Sequence, residues 1–166
     1  MEIVDDFIEQ NAFDKLQAFI MGKGIDWYYK PTIDFPEDVN KFQFVHGFFI
    51  DGITASNFIT EIFPVLNKID PKSLYRVKAN LLTWTPNIIE NAFHVDMTHL
   101  PEKELKKWST SIFYVNTNNG YTEFEDGSQV ESVANRMVIF PADLKHRGTS
   151  STNEKTRIVI NFNYFK

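Results

Sequence analysis

From residue 108 onward, turn chemistry cuts this chain into short segments, and that leaves few folds open. Asn118-Asn119-Gly120, Asp126-Gly127, Pro141-Ala142-Asp143 and Ser150-Ser151-Thr152-Asn153 each interrupt an apolar-rich stretch. The stretches between them, 108–116, 121–125, 129–133, 136–141, 144–149 and 156–164, have the length of strands and are short for stable helices. Asp-Gly between alternating segments is a strong hairpin signal. Successive short antiparallel strands close as a double-sheet jelly roll or a related barrel.

The first half supplies helices to one side of that sheet. Residues 2–7 read as a short strand. Phe13, Leu16, Phe19 and Ile20 recur at helical spacing, with Asn11 as the expected N-cap and Gly22 and Gly24 ending the pattern. Residues 26–30 predict a strand. Residues 41–50, with Phe42, Phe44, Phe48 and Phe49, predict another that is buried on both faces. His46 inside it reads as a hydrogen-bonded core or pocket histidine. Residues 56–69 predict a second helix, kinked or split at Pro64. Residues 74–85 alternate, with Tyr75, Val77, Ala79 and Leu81 on one face and Arg76, Lys78, Asn80 and Leu82 on the other. The expected class is mainly β with flanking helices. It forms one domain over 1–166, with 1–72 as helical and strand support and 73–166 as the β core.

Composition narrows the chemistry. With no cysteine, disulfides, thiolate metal sites and cysteine nucleophiles are all excluded. Acidic residues outnumber basic ones by 22 to 17, for a net charge of −5, so a broad footprint for nucleic acid is disfavoured. The acidic start lacks the basic-then-apolar pattern of a secretory signal, and no apolar run reaches the ~20 residues that span a bilayer. A soluble cytoplasmic protein is expected.

Against that background, His94 and Asp96 stand one residue apart, which on an extended strand turns both side chains to one face. His146 follows several hairpins later, near the end of the 144–149 strand, and a rolled sheet can bring it alongside. Two imidazoles and a carboxylate on one side of a cation form a facial triad with open positions, suited to non-haem Fe(II) and O2. Alone, His-x-Asp is equally a strand-end pair satisfied by local hydrogen bonds; the ordered addition of His146 and Arg157 raises the signal. Arg157 opens the apolar run 158–162, where an unpaired charge is costly and a bidentate carboxylate would be a fitting partner. His99 is the decoy ligand, disfavoured because a rigid strand places ligands better than a loop. The charged run 101–107 reads as a solvated loop or short helix, with a substrate-facing lid as the sharper alternative. Arg147 should face away from His146. Trp27, Tyr28, Tyr29 and Trp84 are core aromatics or the lining of a substrate mouth, and Trp84 and His99 are the substrate-facing candidates.

The ordered set Phe93-His94-Val95-Asp96, Phe113-Tyr114-Val115-Asn116, Gly120-Tyr121-Thr122-Glu123-Phe124, 135–141, His146-Arg147-Gly148 and Arg157 resembles the iron(II)- and 2-oxoglutarate-dependent dioxygenases. The likeness is to the small prolyl-4-hydroxylase-like members of bacterial and phage type, and it covers roughly residues 75–165. It implies a double-stranded β-helix core, Fe(II) on His94, Asp96 and His146, and 2-oxoglutarate with its distal carboxylate on Arg157. Tyr114 matches a tyrosine that donates to that carboxylate, and Asn80 is a weaker candidate for the same pocket. The implied reaction consumes O2, releases succinate and CO2, and hydroxylates a C–H bond of a small-molecule or peptidyl substrate. Two positions depart from the family: Gly120 is not part of a Gly-Gly pair, and Val159 stands where Ser or Thr is common. Asp96 is retained, which disfavours halogenase chemistry. From another class, a binding module with a structural or vestigial metal is the alternative, against which the open face of the triad argues.

Overall fold

A computed structural model of the chain describes residues 1–36 and 40–166. Its frame is one large antiparallel sheet. Across it run β1 (Glu2–Val4), β9 (Arg136–Pro141), β6 (Ser109–Tyr114), β11 (Thr156–Phe165), β5 (Ser73–Thr83), β3 (Gln43–Ile50) and β2 (Tyr28–Lys30), in that order, with β4 (Ile53–Thr54) also on β3. A smaller sheet of β10 (His146–Gly148), β7 (Tyr121–Phe124) and β8 (Gln129–Glu131) lies across from it. The two sheets are those of a double-stranded β-helix, as expected for the strand-rich half.

Strand β11 organises both layers because its two faces carry different residues. Ile158, Ile160 and Phe162 join Val77, Ala79 and Phe113 in the core beneath α1 (Gln10–Met21) and α2 (Phe63–Ile69), where Phe13, Leu16, Ile20 and Val65 are buried. The alternate residues Arg157, Val159, Asn161 and Asn163 point the other way, into the space between the sheets. Val159 packs there with Ile112, Tyr114, Phe124, Val138 and Phe140. At roughly 25 cal/mol per Å² of apolar area, burial on the helical side drives the layering. Strand β5 repeats the pattern next door, with Arg157 opposite Leu82, Val159 opposite Asn80 and Asn161 opposite Lys78.

Three local expectations need correction. Helix α1 takes Glu9 as its N-cap, with no side-chain cap bond, and Asn11 lies inside the first turn. In β3, Gln43, His46 and Phe48 are buried, but Phe44, Val45 and Phe49 are only half-buried and Phe42 is exposed. The reason is position: β3 lies near the sheet edge, with the three-residue β2 outside it. The stretch 93–96 is not a strand and joins the structure by a single bridge, His94 to His146. Pro64 acts as anticipated. A 3-10 turn, Asn57–Ile62, capped by the Ser56 hydroxyl accepting from Phe58 N–H at 3.1 Å, gives way to α2 with the proline in its first turn. The Asp126-Gly127 turn closes β7 on β8, with Gly127 at φ +83°. His46 is buried, its ring nitrogens bonded to the Asp26 carbonyl at 2.7 Å and the Ser56 hydroxyl at 2.9 Å.

Candidate metal centre and adjoining cavity

His94 and His146 are aligned by their own backbones. Each N–H donates to the other's carbonyl at 3.0 Å, which sets the imidazoles side by side with ring centroids 4.8 Å apart. One donor atom each from His94, Asp96 and His146 falls within 4.8 Å of the others. The predicted spacing therefore does its work without a continuous strand, because one bridge and an extended two-residue step are enough.

The donors are held in a ligand-ready state. His94 Nδ1 lies 3.1 Å from the Ala92 carbonyl and 3.5 Å from Asp34 Oδ1, which leaves Nε2 turned to Asp96 Oδ1 at 3.7 Å. His146 Nδ1 lies 3.4 Å from the Leu144 carbonyl, and its Nε2 is buried with no hydrogen-bond partner. Fixing the proton on Nδ1 leaves each Nε2 lone pair for a metal. Asp96 is clamped too. Its Oδ2 accepts from Asn163 Nδ2 at 2.9 Å, and Oδ1 lies 2.8 Å from Arg76 Nη2, a close charge contact rather than an aligned hydrogen bond. Arg76 Nε in turn donates to Asn163 Oδ1 at 2.9 Å, so the carboxylate, guanidinium and amide form one rigid unit.

The electrostatics follow from burial and these neighbours. Burial pushes the Asp96 carboxyl up, but Arg76 and then His94 reverse this and hold it well below the usual carboxylate range. Burial pulls His146 down to about 4 against the opposing charge of Asp96, so its ring is neutral at pH 7. Burial also pulls on His94, yet the Asp96 hydrogen bond and the Asp34 charge outweigh it and leave this histidine raised. A metal entering among the three competes with protons for the His94 ring. An orphaned buried nitrogen, a second imidazole and an ionised carboxylate fit a ferrous ion.

A cavity open to solvent runs from the triad to Arg157. Arg157 is 3% exposed and pairs with no carboxylate among the described residues. Its Nε donates to Ser132 Oγ at 2.9 Å and its Nη2 to Thr122 Oγ1 at 3.3 Å. Burial lowers its affinity for the proton, with the Tyr114 phenol opposing. A guanidinium stripped of water and facing only neutral hydroxyls is poised for an incoming anion. Gly120 makes room for it: a Cβ there would fall 2.6 Å from Arg157 Cδ and 2.7 Å from the Ser150 carbonyl.

The other candidates divide. Asn80 lines the cavity. Tyr114 is fully buried behind it and donates to Thr122 Oγ1 at 2.8 Å, so Thr122 is the hydroxyl between Tyr114 and Arg157. Trp84 is 52% exposed, donates to the Thr152 carbonyl at 2.8 Å, and stands off the cavity. His99 is exposed and stacks on Tyr75, 4.9 Å between ring centroids, outside the triad. Of the aromatic candidates for a mouth, Trp27 packs against the core while Tyr28 and Tyr29 are exposed. Arg147 faces away from His146 and pairs with Glu90 and Glu123. The 101–107 run folds into α3 (Glu102–Leu105), which buries Leu105 and keeps its Lys–Glu pairs in solvent. Arg76, Lys78, Asn161 and Asn163 also belong to the site, although no motif in the sequence points to them. Their signal is polar residues at every second position of two otherwise apolar strands.

Comparison with known proteins agrees with this geometry. The family described as the 2OG-Fe(II) oxygenase superfamily matches residues 89–165. No curated protein sequence matches the chain. Among solved structures, a prolyl hydroxylase from Trichoplax adhaerens, in complex with a hypoxia inducible factor peptide fragment, is similar with a TM-score of 0.65 at 11% identity. That match covers 99% of this chain and 82% of the other. A Pseudomonas putida prolyl-4-hydroxylase is similar with a TM-score of 0.62 at 12% identity, over 99% and 91% of the two chains. HygX from Streptomyces hygroscopicus, with nickel and 2-oxoglutarate bound, has a TM-score of 0.65 at 10% identity, over 98% and 81%. At such identities the structural likeness speaks for the fold alone. The family match over residues 89–165 and the metal-ready triad support an enzyme of the 2OG-Fe(II) oxygenase class, a class that works with Fe(II), 2-oxoglutarate and O2.

Proposed function

We propose that His94, Asp96 and His146 hold Fe(II), that Arg157 receives the distal carboxylate of 2-oxoglutarate, and that the enzyme hydroxylates a C–H bond of an amino-acid-like substrate, free or peptidyl. In this reading residues 1–166 act as one domain. The observation that carries it is the buried His146 Nε2 with no hydrogen-bond partner, beside an ionised Asp96 and facing the cavity that ends at Arg157.

Bound Fe(II) supplies O2 activation coupled to decarboxylation of 2-oxoglutarate, one oxygen atom entering succinate and the other the new hydroxyl. The chain's own residues do the rest. Arg76 and Asn163 keep the Asp96 oxygens in place, so the carboxylate arrives preorganised. Ser132 and Thr122 orient the Arg157 fork toward the cavity. Asn80 offers a neutral amide along the same wall. A smaller cavity lined in part by Phe42, Thr85 and Ile89 shares Ile33, Leu82 and Asn91 with the first, and gives a substrate an apolar route in.

The test is anaerobic addition of Fe(II) and 2-oxoglutarate, following the metal-to-ligand charge-transfer band, and then succinate on admitting O2. The expected result is a band and slow substrate-free succinate, both lost in Asp96→Ala. Arg157→Ala should weaken 2-oxoglutarate by about tenfold to a hundredfold while leaving metal binding in place. A wild-type protein with neither band nor succinate would overturn the reading.

A further inference from the structure

Lys78 sits on the cavity wall and forms no ion pair among the described residues. It lies on β5 between Arg76 and Asn80, opposite Asn161 of β11 and Gly47 of β3. Its side chain lines the cavity, yet it makes no hydrogen bond or ion pair with any described residue. The nearest carboxylate of the triad is not free to serve it, because Asp96 is already held by Arg76 and Asn163. Arg76 and Lys30 stand close enough to oppose its charge, and Asp96 and Asp34 close enough to favour it.

A cation kept in such a place, half-buried and beside other cations, costs stability unless something arrives to meet it. The triad and co-substrate do not supply that partner. The Asp96 charge is set against Arg76. A ferrous ion and Arg157 bring three positive charges to a cavity where Asp34 and a bound 2-oxoglutarate dianion bring three negative ones. The Lys78 ammonium is then the charge left over among the described residues that line the cavity.

We infer that Lys78 is a specificity-determining residue that receives a carboxylate of the prime substrate, so that the enzyme acts on a free carboxylic acid of amino-acid size and not on an internal residue of a peptide. This rests on the oxygenase reading above and narrows its substrate. Burial, reinforced by Arg76, draws the Lys78 ammonium down to about 8, which is still protonated at neutral pH. An ion pair formed inside the cavity, near the triad, would fix the acid's carbon chain by its charged end and leave its C–H bonds facing the metal position. An internal peptide residue has an amide where this carboxylate would be, and offers the ammonium no charge.

The experiment uses wild-type protein and Lys78→Met, each loaded anaerobically with Fe(II) and 2-oxoglutarate. The charge-transfer band reports binding without turnover. The probes are a panel of free L-amino acids, including L-proline, and their matching amides. The expected result is that at least one free acid perturbs the wild-type band and stimulates succinate on admitting O2, with its amide weaker by about tenfold to a hundredfold. K78M should keep the 2-oxoglutarate band with near-wild-type affinity and lose the preference for acid over amide. Three results would overturn the inference: no acid perturbing the band, acid and amide binding equally, or K78M weakening 2-oxoglutarate more than about tenfold, which would assign Lys78 to the co-substrate. A wild-type protein that forms no band at all strikes the oxygenase reading instead, so the two failures are told apart.

Discussion

Lys78 and Arg157 are both cations on the wall of one cavity, but only Lys78 changes charge within reach of ordinary buffers. In the unfolded chain a lysine titrates near 10.5, whereas in the folded protein burial and then Arg76 bring Lys78 to about 8, against the pull of Asp96 and Asp34. Between those two values the unfolded chain binds more protons than the native one, so stability rises with pH across that window. Below about 8 both states are protonated and the full cost of the half-buried ammonium is present. Lys78→Met removes the cost. The metal-free variant is expected to be more stable than wild type at pH 7 by about 1–3 kcal/mol, the gain shrinking as pH approaches 10. Urea unfolding of both proteins at several pH values measures it, and parallel pH slopes would show that Lys78 is not buried as described. At Asp96 the direction is opposite. There the carboxylate is held by Arg76 and Asn163, so Asp96→Ala strands a guanidinium as well as removing a ligand. It is expected to cost about 1–3 kcal/mol in the metal-free protein, in addition to the loss of metal binding followed by titration with Mn(II).

At the scale of elements, the approach of β7 to β11 sets the Arg157 end of the cavity. Gly120, just before β7, lies against Arg157 Cδ and the Ser150 carbonyl, and the second of these is backbone that cannot swing aside. Gly120→Ala should therefore push the loop away from β11 and misplace the guanidinium. The expected outcome is a 2-oxoglutarate affinity lower by about tenfold and a stability loss of about 1–3 kcal/mol, with metal affinity unchanged. Isothermal titration of the metal-loaded variant checks this, and a wild-type affinity would mean the loop relaxes without moving Arg157. These elements also show what a sequence can disclose. Alternation on β5 is legible because a period of two is imposed by the pleat, and it places Arg76, Lys78, Asn80 and Leu82 on one face, which the fold then turns to the cavity and Asp96. The His94–Asp96 spacing is legible for the same reason, although the strand expected around it shrinks to one bridge. The pairing of Arg76 with Asp96 is not legible, since it joins separate segments whose meeting depends on how β5 and β11 register. Nor is the retreat of Tyr114 behind Thr122, which depends on how far the two sheets stand apart.

For the molecule as a whole, the jelly roll needs its outer face covered, and Asn135 is one of the residues that tie the covering layer down. Asn135 sits at φ +62° in the turn between β8 and β9, a left-handed conformation that asparagine tolerates better than most residues. Its side chain accepts from Ile8 N–H at 3.1 Å and donates to the Ile8 carbonyl at 2.8 Å, and its own carbonyl accepts from Phe7 N–H at 2.8 Å. The same residue donates its N–H to the Tyr114 carbonyl at 3.0 Å, at the end of the strand that backs the Arg157 pocket. Through Asn135 the entry to α1 and the sheet are thus joined, and Phe7 and Phe13 pack on Phe113 beside that joint, with ring centroids 6.3 Å and 6.1 Å away. Asn135→Ala removes two buried side-chain bonds and forces a β-carbon residue to hold positive φ, for an expected loss of about 2–4 kcal/mol. Asn135→Gly removes the bonds but relieves the backbone, so its loss should be smaller by about 1 kcal/mol. Chemical denaturation of the two variants separates these contributions. If glycine proved as damaging as alanine, the cost would lie wholly in the lost bonds to Ile8, and the left-handed turn would not be what selects asparagine. If neither variant lost stability, the N-terminal layer would be held by its core packing and the β1–β9 pairing, and the sheet that carries Arg157 would not depend on this joint.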